Sequence, residues 1–272
     1  MSYQEFPLPP KPLGWKYNLP APNQNTSSRA DSTSIHPPPN KLNNIYIEFH
    51  YASLLARGVL IYLGAMIAIA ALAFAIFCIC LSITFPESRP IAPALGLLIT
   101  TVSIIYGAAP MIRLDLTLPR DEPIRFNRLR RKVYVYRFHH SWLKPLSRRA
   151  WGVRPVAYNW DDLRAEAWMI YAPMGTGGLK EGITLAVIKP GTDEVIDRFN
   201  FTEGILKGEM YWALVQQFMQ QGPQALPTFR RPPRDWNNDP ATLNLARRWA
   251  PKVQWPVDMD LESRTAPEHP PG

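Results

Sequence analysis

The hydrophobic pattern is dominated by an uninterrupted apolar run from Gly58 to Phe85, GVLIYLGAMIAIAALAFAIFCICLSITF, without one charged side chain. A helix rises about 1.5 Å per residue, so roughly 20 apolar residues cross the hydrocarbon layer. The run is longer than that and predicts a membrane-spanning helix over 58–85. Pro86-Glu87-Ser88-Arg89 interrupts it, and a second uncharged run predicts another helix over 90–112. A turn this short returns the second helix antiparallel, which puts both flanks on one side of the membrane.

From Pro123 the period shortens. Ile124–Asn127, Lys132–Phe138, Val156–Trp160, Arg164–Tyr171, Ile183–Lys189 and Val195–Phe201 read as strands, the last two joined by a Pro190-Gly191-Thr192-Asp193 turn. His139 to Pro155 reads as a long irregular connection carrying bases. Over Glu209 to Gln221 the spacing of Tyr211, Leu214, Val215 and Phe218 predicts an amphipathic helix, ended by Gly222-Pro223. The fold class that follows is α+β: a two-helix transmembrane hairpin, then a small antiparallel β barrel or roll capped by one helix.

Four units result. Residues 1–40, rich in Pro, Asn and Ser, read as a disordered tail with too few apolar positions to bury a face. Residues 41–118 hold the hairpin, with Tyr46, Phe49 and Tyr51 suited to the headgroup region. Residues 119–227 form the β-rich domain, and 228–272 a Pro-, Trp- and Arg-rich extension with a short helix after Asp239-Pro240. Trp236, Trp249 and Trp255 are expected to pack that extension onto the domain. No basic stretch followed promptly by an apolar one opens the chain, so no cleaved signal peptide is expected.

Charge sets the orientation. The chain carries +8, and Arg113, Arg120, Arg125, Arg128, Arg130, Arg131 and Lys132 crowd the exit from the second apolar run. Positive flanks stay cytoplasmic, which predicts both termini inside and the turn outside. Arg125, Arg128, Arg130, Arg131 and Lys132 are the candidate lipid-surface residues, since an anionic leaflet attracts each base by about 1 kcal/mol. The same charges also serve simply to set topology. Membrane lipids are thus one expected partner, and nucleic acid is not expected. Small residues form the candidate seam between the helices: Gly64, Ala68, Ala71 and Ala75 on the first, Gly96, Thr100, Ser103 and Gly107 on the second. Close backbone approach drives helix pairing in lipid.

Other motifs carry less. Cys78 and Cys80 lack further ligands for a tetrahedral site, and His139-His140 point to opposite faces if on a strand. Gly175–Lys180 lacks the Lys-Ser/Thr of a phosphate loop, because Glu181 follows Lys180. Asp161-Asp162 reads as a turn. No nucleophile–base set is evident, so no enzyme activity, metal or cofactor is expected.

The order of two membrane helices, Arg125 to Tyr134 (RFNRLRRKVY), Trp160-Asp161-Asp162 and a late helix ending in Gly-Pro resembles an uncharacterised bacterial inner-membrane family over Ile45 to Leu226. The resemblance implies a pleckstrin-homology-like cytosolic domain, encoded near type VI secretion effector genes. It implies a non-enzymatic binding protein with an immunity or accessory role, its partner a toxic effector or a secretion component. An anionic-lipid-sensing membrane scaffold is the alternative.

Overall fold

The computed structural model describes residues 9–24, 35–51, 57–86, 91–172, 178–235, 237–238 and 244–268. The apolar runs become α1 (Val59–Thr84) and a helix over Ala92–Thr117, each 26 residues and long and apolar enough to cross a membrane. The second is composite: α2 (Ala92–Val102), a π-helical segment (Ser103–Ala108) and α3 (Ala109–Thr117). Pro110 explains the widened turn, because it lacks an N–H and its ring crowds the carbonyl four residues back. The helix continues past the expected end at Ile112 because Asp115 and Arg57 complete the foot of the hairpin, as described below.

That hairpin is an insertion within a sheet. β3 (Tyr46–Phe49) pairs antiparallel with β4 (Ile124–Asn127), Phe49 opposite Ile124 and Tyr46 opposite Asn127. β2 (Lys41–Leu42), β3, β4, β5 (Lys132–Val135) and β8 (Val156–Asn159) form a five-stranded sheet in the order 2-3-4-5-8. The expected boundary near residue 118 therefore cuts through this sheet. Tyr46 and Phe49, read as headgroup aromatics, are buried.

β1 (Trp15–Asn18), β9 (Leu163–Ala172), β10 (Gly178–Ile188) and β11 (Val195–Glu203) form a second sheet in that order. β6 (Phe138–His139) and β7 (Gly152–Val153) pair apart from both. The strands are antiparallel, but the sheets do not close into the expected barrel. β9 has β10 on one edge and β1 on the other, so β8 finds no free edge to join. Between the sheets lies an aromatic core in which Phe126 sits 5.9 Å from both Trp160 and Phe201. α4 (Ile205–Gln221) covers it with Trp212, whose ring lies 5.0 Å from Trp160. Gly222, at φ 88°, ends that helix in a conformation glycine adopts without steric cost.

The N-terminal arm is ordered where it is described, contrary to the tail expected from composition. Leu19 and Ile35 are buried, and α4 supplies the donors that proline-rich backbone lacks. Trp212 Nε1 donates to the Pro20 carbonyl at 2.9 Å, Gln216 to Ala21 at 2.6 Å, and Tyr211 to Pro37 at 2.5 Å. The C-terminal extension adds α5 (Leu245–Trp249) and α6 (Val257–Arg264). Trp255 packs on Tyr136, whereas Trp249 is largely exposed; Trp236, Asp239 and Pro240 lie outside the described residues.

Candidate functional site

Of the five candidate lipid-surface bases only Arg125 is buried; Arg128, Arg130, Arg131 and Lys132 are partly exposed, and most of the five are held by other segments of the chain. Arg125 is 2% exposed, paired to Glu48 at 2.7 Å and Asp260 at 3.0 Å, with Ser263 as a further acceptor. Its guanidinium lies between the Tyr46 and Trp255 rings, at 5.2 and 4.7 Å. A charge this enclosed cannot meet a headgroup. Arg130 donates to the Thr265 and Ala266 carbonyls, and Lys132 pairs with Glu262 at 2.7 Å. Arg131 bonds Asn23 and Asp161, whose carboxyl it holds below the usual range. The Arg128 guanidinium lies beside Gly222. These bases tie the C-terminal extension and the N-terminal arm to the sheet. Arg128, Arg130 and Arg131, in the turn after β4, also lie roughly 10 Å along that strand from its hairpin end, given the strand rise.

The hairpin's foot is built from groups that composition did not single out. Asp115, buried near the end of α3, accepts from the Gly58 and Ile61 N–H groups at 2.7 and 3.2 Å, capping the start of α1. Arg57 reciprocates by donating to the carbonyls of Asp115, Leu118 and Pro119 at the end of α3. Each charge sits at the helix pole that favours its sign. Asp121 accepts from Tyr51 N–H and Asn40 and lies 2.8 Å from His50, joining the entering and leaving chains.

Along the seam, Gly64, Ala71, Ala75, Gly96 and Thr100 are buried, while Ala68, Ser103 and Gly107 are half-buried. A Cβ at Gly64 would lie 2.7 Å from Ile112 Cγ1, and one at Gly96 would lie 2.7 Å from Cys78 Cβ. Thr100 Oγ1 donates to the Ala71 carbonyl across the seam at 2.8 Å.

A cleft of about 330 Å³ opens between the hairpin end of β4–β5 and the middle of β10–β11, lined by Tyr51, Glu122, Arg137, Thr184, Arg198 and Asn200 among others. Arg137 Nη1 holds both Asp197 oxygens at 3.0 Å, and the Tyr158 hydroxyl donates to the same carboxylate. Arg198 pairs at 3.0 Å with the fully buried Glu166, which Arg164 also approaches at 2.7 Å. Glu122 accepts from the Phe138 N–H at 2.5 Å. Burial pushes its carboxyl up to about 7, against the opposing pull of that N–H. The cleft thus joins two charge-paired arginines to a carboxyl that takes and releases a proton near neutrality. His140 packs in a ring cluster with Phe138, Trp142 and Trp151 that His139 does not share; burial lowers both imidazoles. Among the described residues no group of three or more His, Cys, Asp or Glu could hold a metal ion. Residues 173–177, within the glycine-rich stretch, lie outside the described residues.

No curated protein and no solved structure matches the chain. A family model described as a family of unknown function, DUF6708, matches residues 101–267. The match begins in the second apolar helix and takes in β4 to β11, α4 and the extension through α6, which the resemblance over Ile45 to Leu226 had left out. The matched stretch is more than half of the chain, and the protein belongs to this family of unknown function, DUF6708.

Proposed function

We propose that the protein is a membrane-anchored, non-enzymatic binding protein whose β-rich domain is presented to a protein partner at the cytoplasmic face of a bacterial inner membrane. One observation carries the reading: two long apolar helices are inserted between hydrogen-bonded neighbours, β3 and β4. A domain mounted that way cannot swing freely on a linker, so its surface is held at a constant height and orientation. The outward faces of the helices are apolar, with Ile69, Leu72, Phe77, Ile83 and Leu98 exposed, as lipid contact requires. Two antiparallel sheets with a closing α4 support a pleckstrin-homology-like reading of the domain. The arginines lining its cleft, Arg137 and Arg198, are held in ion pairs with Asp197 and Glu166, which favours a rigid recognition surface over a reactive centre.

The resemblance to inner-membrane proteins encoded beside type VI effectors extends the proposal to immunity or accessory work against an effector or secretion component. Competition against a strain delivering the neighbouring effector tests it. Deletion of the gene is expected to sensitise the cells, with rescue by the full chain; unchanged survival overturns the immunity reading. Carbonate extraction tests the anchor, which is overturned if the full-length chain leaves the membrane pellet.

The alternative, a lipid-sensing surface on Arg125 to Lys132, is the weaker reading because four of those five bases bond to other segments of the same chain.

A further inference from the structure

The long connection between β6 and β7 is ordered and carries its apolar side chains outward. Leu143 is 88% exposed, Leu146 65% and Trp142 43%, interleaved with exposed Lys144, Arg148 and Arg149. Side chains this apolar normally turn inward, so a cluster of them on a fixed loop marks an interaction surface. The loop is fixed from beneath. Pro145 is buried, and its carbonyl accepts from Arg113 Nη1 at 2.6 Å. The Arg113 guanidinium lies 4.8 Å over the Trp151 ring, and Trp151 Nε1 donates to the Lys144 carbonyl at 3.1 Å.

Arg113 gives the height. It precedes Asp115, which caps the start of α1, by two residues, about 3 Å deeper along the hairpin. The loop is therefore held level with the last turn of the second apolar helix. At the same foot, α5 is fastened to the start of α1: Asn244 Nδ2 donates to the Arg57 carbonyl at 2.9 Å. Arg120 holds the far end of α5 through the Arg248 carbonyl at 2.9 Å. α5 carries Arg247, Arg248 and Trp249, the last 61% exposed.

We infer that the 140–151 loop and α5 form a collar that dips into the interfacial layer of the anionic membrane crossed by the hairpin. Trp142, Leu143, Leu146 and Trp249 enter the headgroup–acyl boundary, and Lys144, Arg148 and Arg149 meet lipid phosphates. Tryptophan suits that boundary, and apolar burial combined with basic charge gives binding that depends on anionic lipid. The inference rests on the membrane-anchor reading and moves lipid contact away from the β4–β5 turn, to the end of the domain where the hairpin leaves it.

Depth-dependent quenching tests it on the full chain. In a Cys78→Ala, Cys80→Ala background, one fluorophore is attached through Leu143→Cys, Leu72→Cys or Asn159→Cys, and the protein is placed in phosphatidylcholine vesicles with or without phosphatidylglycerol. Shallow nitroxide lipids are expected to quench the Leu143 probe several-fold more than the Asn159 probe, which sits at the opposite strand end. Deep nitroxides are expected to quench the Leu72 probe. Omitting phosphatidylglycerol, or changing Lys144, Arg148 and Arg149 together to Glu, is expected to reduce Leu143 quenching several-fold and leave Leu72 unchanged. Quenching at Leu72 with none at Leu143 overturns the collar and leaves the anchor standing. Quenching at neither overturns both. Shielding of Leu143 that rises with protein concentration in lipid-free detergent assigns the loop to a second copy and also overturns the collar.

Discussion

Arg125 and Glu122 are enclosed charges held differently, the first by the Glu48 and Asp260 carboxylates and the second by the Phe138 N–H. Arg125→Met leaves Glu48 buried without its cation and is expected to destabilise the domain by about 3–5 kcal/mol. Arg131→Ala, at a half-exposed pair, is expected to cost about 1 kcal/mol or less. Thermal unfolding of the detergent-solubilised chain separates the two, and equal small losses would return Arg125 to the surface. For Glu122 the folded carboxyl titrates near 7 against an ordinary 4.5, so the folded state holds the extra proton between those values. Its contribution is therefore complete below 4.5 and is lost as pH rises through about 7, up to about 3 kcal/mol in all. Glu122→Gln is expected to flatten that slope and to raise stability at alkaline pH; an unchanged profile means the carboxyl is ordinary. Neither role was legible from sequence. A base in RFNR looks identical whether it faces water or a carboxylate contributed by residue 48 or 260, because sequence separation hides the partner.

At the scale of elements, the helix pair was the most legible feature and its termini the least. An uncharged run can be recognised by length alone, and small residues spaced three and four apart mark a face. The end of the second helix contains Arg113 and Asp115, which a hydropathy boundary excludes but which the structure uses to hold the 140–151 loop and to cap α1. Asp115→Ala is expected to cost about 1–2 kcal/mol through lost capping at α1, with Asp115→Asn recovering part of it. Gly96→Leu is expected to separate the helices and cost about 1–3 kcal/mol, because its Cβ alone meets Cys78 at 2.7 Å. Ala68→Leu, at a half-exposed position, is expected to cost less. Unfolding in denaturant-titrated micelles measures all four, and equal effects at Gly96 and Ala68 would remove the seam. The strands were legible in outline from period-two runs and from the Pro190-Gly191 turn. The proline-rich arm was not, because its backbone acceptors are matched by donors on α4, some 190 residues away.

For the molecule as a whole, the decisive feature is that the chain leaves one sheet for the hairpin and returns to the adjacent strand. Replacing residues 53–119 by a short turn is expected to give a domain that stays soluble without detergent and unfolds cooperatively, since Phe49 and Ile124 already stand opposite each other. Removing residues 1–49 is expected to abolish folding, because β3 pairs with the central strand β4 and β1 covers the edge of β9. Circular dichroism and size-exclusion chromatography read both outcomes; a folded domain lacking residues 1–49 would contradict the insertion. The sequence by itself determined two apolar helices, a β-rich remainder and a helix closed by Gly-Pro, because length, period and turn chemistry are local properties. Only the tertiary structure decided that the sheets stay open, that the hairpin interrupts one of them, and that most of the bases around the β4–β5 turn pair with other segments of the same chain. Each of those depends on strand pairing and charge partners distant in sequence, and no local pattern encodes them.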